Sequence, residues 1–227
     1  MSEHNHHHHH HHSHEKFDPE KLFYAFKQCL LKSDSSQDFD DISLKDYILA
    51  YEEINKFLSL LGNIFYFVIS DVTEKIVILR KYLEKQPNNY ATLHTFLKYE
   101  QSQGLFKQSS HDLKHNPSGA RTILRLHRAL IFIYKFLDRL HTADPKMKSS
   151  QICTETYEQT LAKYHPWLVR KAANLGMMGL PKRDALIGHM IRNESDLNKF
   201  PEFIQTVETT YNVTQNYFEK FSILDLP

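Results

Sequence analysis

Glycine and proline are scarce in this chain, 6 and 8 of its 227 residues. Both interrupt helices, glycine through backbone freedom and proline through its missing N–H and fixed φ. Their scarcity leaves long uninterrupted runs and disfavours a fold built on many tight turns. Cysteine is nearly absent as well. Cys29 and Cys153 stand far apart in apolar helical contexts, with neither CxxC nor metal-ligand spacing. That excludes a disulfide framework and a zinc site, and two reduced, buried thiols of a cytosolic protein are expected. No apolar run reaches the ~20 residues of a membrane span. Net charge is small: Lys and Arg total 28, Asp and Glu 27, for a formal +1. Bulk attraction to nucleic acid is therefore not expected, and any electrostatic function must come from local placement.

The opening stretch, MSEHNHHHHHHHSHEK, has no hydrophobic core region and is not a signal peptide. Its seven consecutive histidines form a low-complexity tail or an expression tag. Residues 1–16 are set aside on that ground, and 17–227 are read as a single domain.

What is present is helical periodicity. Helices are expected over 17–32, 43–62, 63–87 and 89–104, then over 118–141, 151–180, 181–193 and 200–224. Asp18 and Ser43 supply caps, Gly62 ends or kinks the second helix, and Pro87 stops the third. Residues 105–117 read as one helical turn and a loop. The result is an all-α chain of about eight helices with no convincing strand.

Three polar features do not fit a plain helical bundle. In SGARTILRLHRALIFIYKFL, Arg121, Arg125 and Arg128 are spaced i, i+4, i+7 and share one stripe, which Phe132 continues. Two readings stand: a solvated face, or planar guanidinium groups converging on a phosphate. Arg128 is the one expected to turn to a carboxylate on a neighbouring helix. The second feature is Asp71 and Lys75, one turn apart, with Phe67 and Ile78 on the same side and the ordinary polar face elsewhere. They are either an ordinary helix-surface ion pair or a polar island in apolar surface, where charge requires partners. The third is YHPW, where His165 precedes Pro166 and Trp167, the only tryptophan. Proline at that place aims His165 differently from its neighbours, and an indole suits a water–lipid boundary.

Catalysis is not indicated. No GxGxxG, P-loop, HExxH or GxSxG motif occurs, no nucleophile is placed by a motif, and no cofactor or metal is expected.

Taken in order, the segments FKQCL, FLSLLGNIFYFVISDV, SGARTILRLHRAL, YHPWLVRKA and SILDLP resemble the glycolipid transfer protein family. The likeness covers Phe17 to Pro227 and is nearest to the family's ceramide-1-phosphate transfer branch. It implies a two-layer, all-helical sandwich that takes one sphingolipid, chains between the layers and headgroup at the surface. It also implies that Asp71 binds the ceramide amide and hydroxyl, and that His165 binds the amide carbonyl. Lys75, Arg121 and Arg125 hold the phosphate by the same resemblance. Glycolipid-selective members are similar but carry a sugar-stacking Trp at the place of Arg121 and Asn at that of Lys75.

Three cations match a phosphomonoester, which carries nearly two negative charges, and leave a surplus for Asp71. A neutral sugar leaves the arginines unpaired. The expected function is thus a non-enzymatic, cytosolic and monomeric carrier of a phosphosphingolipid, with transient membrane contact through Trp167 and the nearby Lys163, Lys171, Lys182 and Arg183. Phe65, Phe67, Val68, Ile69, Val72 and Leu130 are the expected lining of the chain pocket. The alternatives are a phosphosphingolipid sensor acting through a protein partner, a glycosylceramide carrier, and a helical scaffold that binds no lipid.

Overall fold

A computed structural model describes residues 16–33 and 40–227. The histidine-rich tail and most of the polar loop before residue 41 lie outside the described residues. The fold is all-helical, with eleven α-helices among the described residues.

The first helices start where their caps predict. α1 (Pro19–Cys29) opens with the Asp18 carboxylate accepting the Glu20 N–H at 2.9 Å and proline at the first helical position. α2 (Leu44–Ser59) opens at Ser43, whose hydroxyl donates to Asp46 while accepting the Asp46 N–H. Gly62, at φ 112°, then turns the chain through a region closed to side chains. A 3₁₀ turn, Asn63–Phe65, leads into α3 (Tyr66–Lys85). α4 (Pro87–Tyr90) and α5 (Leu93–Ser102) follow, and α6 (Ser110–His115) is the helical turn expected within 105–117. α7 (Gly119–Thr142) is capped by the Ser118 hydroxyl, which accepts the Arg121 N–H at 3.2 Å. Its last carbonyls are held by Arg183, which donates to Leu140, Ala143 and Asp144 at 2.6–2.7 Å.

Four expectations are corrected. The run 151–180 is not one helix. It divides into α8 (Ser149–Thr160), a 3₁₀ turn Ala162–Tyr164, and α9 (Trp167–Met177). Pro166 forces the break, because the residue before a proline avoids helical backbone, and His165 is extended at φ −111°, ψ 139°. That division, with the short α4 and α6, turns about eight helices into eleven. After α10 (Arg183–Met190), α11 spans Glu194–Lys220 and starts six residues before Phe200. The Asn193 cap sets its start, and the helix continues through Pro201. Finally, β1 (Leu30–Leu31) and β2 (Asp41–Ile42) form a minimal antiparallel pair, Leu30 opposite Ile42. Two residues per strand carry no alternation for a sequence to reveal.

The helices pack as two layers. α2 lies against α1 and α3, α7 against α3, α8 and α11, and α11 closes back on α1. One apolar cluster runs from Phe17 to Ile223. Both cysteines are buried and free. No described helix is long and apolar enough to cross a membrane.

Candidate functional site

α3 and α7 each change character along a single stripe. On α3, Phe67 and Val68 line an apolar cavity, while Asp71 and Lys75, one and two turns further on, line a surface depression. On α7 the order is reversed: Arg121 lines the depression, and Phe132 and Phe136, three and four turns later, line the cavity. The two helices are in contact. Each helix therefore contributes charge to the depression at one end and apolar side chains to the cavity at the other. The depression measures about 650 Å³ and the cavity about 140 Å³.

At the rim, Lys75 Nζ lies 2.6 Å from an Asp71 carboxylate oxygen. The two partners differ in environment. The Lys75 side chain is 15% exposed and that of Asp71 60%. A lysine stem laid along apolar surface with its charge at the edge produces this asymmetry. An ion pair with so exposed a carboxylate adds little stability. The carboxylate oxygens can still accept further hydrogen bonds.

The arginine stripe is tied to the last residues of the chain. Arg121 Nε donates to a Pro227 backbone oxygen at 2.6 Å, Arg125 Nη1 to the Leu226 carbonyl at 2.8 Å, and Arg128 Nη2 to the Leu224 carbonyl at 2.9 Å. One strap thus satisfies one N–H of each guanidinium and fixes its plane, leaving the other N–H groups of Arg121 and Arg125 for an anion. Burial, reinforced by Arg121 and Arg128, pushes Arg125 down to about 10. It stays cationic at neutral pH, in a place that a bound anion would relieve. Among the described residues Arg128 pairs with no carboxylate, contrary to expectation. Its other face covers the Tyr164 ring, 4.3 Å from the centroid.

His165 faces the cavity, and its Nδ1 is 2.6 Å from the Tyr157 hydroxyl. Burial pushes its pKa below the usual imidazole value, against the opposing pull of the Asp71 carboxylate. The ring is therefore neutral at pH 7 and within electrostatic reach of Asp71.

A conserved sequence pattern described as glycolipid transfer protein matches residues 42–192. The chain is 36% identical over 217 residues to a ceramide-1-phosphate transfer protein of Xenopus laevis, covering 94% of this chain and 98% of that one. The human ceramide-1-phosphate transfer protein is 33% identical over 216 residues, 93% of this chain and 97% of that one. A crystal structure of the human protein with 12:0 ceramide-1-phosphate superposes with a TM-score of 0.81, covering 93% of this chain and all of that one. The apo mouse protein superposes at 0.83 with 33% identity and the same coverage. The chain belongs to the glycolipid transfer protein family.

Within this family member, the expected lining of the slot is met in part. Phe65, Phe67, Val68 and Val72 line the cavity, but Ile69 and Leu130 do not. Ile69 lies 100° round α3 from Val68, and its carbonyl accepts from Asn55 and Thr73. Leu130 is completely buried in the core, one position past the stripe of Ala129, Ile133, Phe136 and Leu137 that does face the cavity. Phe57, Tyr157, Ala173 and Met177 line the slot without having been singled out, because apolar periodicity does not tell cavity wall from core. Trp167 is 63% exposed beside Leu168 at 73% and Met178 at 75%, and Lys171 stacks over the indole at 4.1 Å. Arg183 does not join this patch, since its donors hold the end of α7.

Proposed function

We propose that residues 17–227 form one unit that carries a single phosphosphingolipid, ceramide-1-phosphate by its chemistry, between membranes without making or breaking a bond. The observation that supports this best is the change of character along α3 and α7: cations from both helices at the rim, apolar side chains from both below. Lys75, Arg121 and Arg125 hold the phosphate, Asp71 accepts from the ceramide amide and hydroxyl, and His165 donates to the amide carbonyl. A neutral sugar headgroup has no negative charge to offer Arg121, Arg125 and Lys75, and their desolvation then goes uncompensated.

A two-chain lipid crosses water slowly because each exposed CH₂ costs about 0.8 kcal/mol. The slot replaces bilayer contacts with protein contacts and removes most of that barrier. The sphingoid and acyl chains together exceed the cavity's about 140 Å³, so its side chains must part on loading. Met177 and Met190 are lining residues with the flexibility to do so. Loading takes place at a membrane surface. We assign the contact to the exposed face of α9 around Trp167, in a cytoplasmic protein that docks reversibly as a monomer.

The test is native mass spectrometry of the protein exposed to a lipid extract, with transfer of labelled ceramide-1-phosphate between vesicles. A 1:1 phosphosphingolipid complex and net transfer are expected. Binding without transfer would identify a sensor, and a glycosylceramide complex would overturn the headgroup assignment.

A further inference from the structure

Tyr157 plays no part in the reading above beyond lining the slot. It projects from α8 and is 2% exposed, with the Phe132 ring packed edge-on against it at 6.2 Å and 89°. Its hydroxyl lies 2.6 Å from His165 Nδ1 and makes no other hydrogen bond among the described residues. The His165 backbone is also held: its N–H donates to Ala162 at 2.9 Å, and Pro166 keeps it extended. The ring is therefore gripped at Nδ1, and Nε2 has no partner among the described residues.

One hydrogen is shared by two neutral groups in this bond. A phenol is a stronger acid than a neutral imidazole N–H, and the bare imidazole nitrogen is a stronger base than a phenol oxygen. The hydroxyl therefore donates and Nδ1 accepts. The ring's own hydrogen is left on Nε2, since the bond at one nitrogen sets the state of the other. Burial favours neutrality on both sides, pushing Tyr157 up and His165 down.

We propose that Tyr157 is a positioning residue that locks His165 as its Nε2–H tautomer, making His165 a dedicated donor beside the dedicated acceptor Asp71. This deepens the carrier reading and rests on it for the identity of the ligand. A donor and an acceptor within electrostatic reach of one another match an amide, which offers a carbonyl to one and an N–H to the other. With the opposite tautomer, two acceptors would face the ligand and the carbonyl would be repelled. The lock thus selects for the amide, while the cations select for the phosphate.

The experiment uses the full-length protein with ¹⁵N-labelled histidine, and His165 is assigned by its loss in His165→Gln. Long-range ¹H–¹⁵N correlations should show the Nε2–H pattern in the wild type and a mixture or reversal in Tyr157→Phe. Binding is measured in parallel to ceramide-1-phosphate and to sphingosine-1-phosphate, which has no carbonyl. Tyr157→Phe should weaken the first roughly three- to tenfold and leave the second unchanged. Adding Tyr157→Phe to His165→Gln should cost nothing further, because the tyrosine acts through the histidine.

An Nδ1–H pattern in the wild type, or an unchanged pattern in Tyr157→Phe, would overturn the lock and leave the carrier reading standing. A changed tautomer with unchanged ceramide-1-phosphate binding would remove His165 from the amide and end the proposal with it. Equal weakening for both lipids, or additive losses in the double variant, would mark Tyr157 as merely structural and also overturn the proposal.

Discussion

The Glu100 carboxylate accepts the backbone N–H of Gly119 at 2.9 Å, so a completely buried acid on α5 holds the first turn of α7. The Tyr90 hydroxyl donates to that same oxygen at 2.9 Å, and the other oxygen takes the Ala120 N–H at 2.8 Å. These are the donors that a helix start leaves unpaired, and a negative charge there suits the helix dipole. Arg121 is the next residue, so this clamp sets where the arginine stripe begins. Glu100→Gln should destabilise the fold by about 1–3 kcal/mol, read from urea unfolding, because an amide nitrogen faces a donor. Gly119→Ala should act similarly. A Cβ there would meet Phe96, Glu100 and Tyr90 at 3.1–3.3 Å, and rings cannot yield as a flexible chain end does.

Arg121→Leu and Lys75→Ala should each weaken ceramide-1-phosphate binding and vesicle transfer roughly tenfold or more, the scale of a lost hydrogen bond to a charged group. Neither residue belongs to the core, so circular dichroism and melting should stay near wild type. Intact transfer by either variant would contradict the phosphate assignment.

Asp71→Val should lose ceramide-1-phosphate, since in the proposed site the carboxylate accepts from the amide and hydroxyl. Its side chain is 60% exposed and its partner Lys75 remains for the phosphate, so folding should survive. Vesicle transfer of ceramide-1-phosphate checks this, and retained transfer removes Asp71 from the site.

Trp167→Ala should reduce partitioning onto vesicles and slow transfer several-fold, while ceramide-1-phosphate presented in detergent still binds. The indole is exposed and stacked by Lys171, so little core packing is lost. Unchanged partitioning would move the docking face elsewhere.

His127 should make the fold sensitive to mild acid. It is 1% exposed, stacked on Tyr211, and hydrogen-bonded to Gln215 through Nε2. Burial lowers its pKa from the ordinary 6.5 to about 4. The unfolded chain therefore takes up a proton first. The stability that His127 contributes is complete above 6.5 and is lost as pH falls through about 4. Urea unfolding at pH 7.5 and pH 5 should show the decline, and His127→Phe should flatten it.

Some of these groups were legible before any coordinates. Arg121, Arg125 and Arg128 share a stripe because helical spacing dictates it, and all three do reach the same strap. Asp71 and Lys75 stood out because charge on an apolar face is costly. The strap itself was illegible: an arginine's donors carry no mark of which carbonyl they will meet 96 to 106 residues away. Tyr157 was equally silent, since a tyrosine in an apolar helix position reads as core until the ring opposite it is known. Pro166 signalled a kink, but only the structure shows that it separates two helices and leaves His165 extended.

The sequence alone determined that the chain is helical, the caps at Asp18 and Ser43, and the face of α3 and α7 on which the charged residues stand, because spacing and end chemistry are local properties of the chain. The tertiary structure decided that Asp71, Lys75 and Arg121 share one depression, that His165 turns into the slot, and which apolar side chains border it. Those outcomes depend on how helices distant in sequence lie against one another, and helical periodicity names a buried face without naming what will face it.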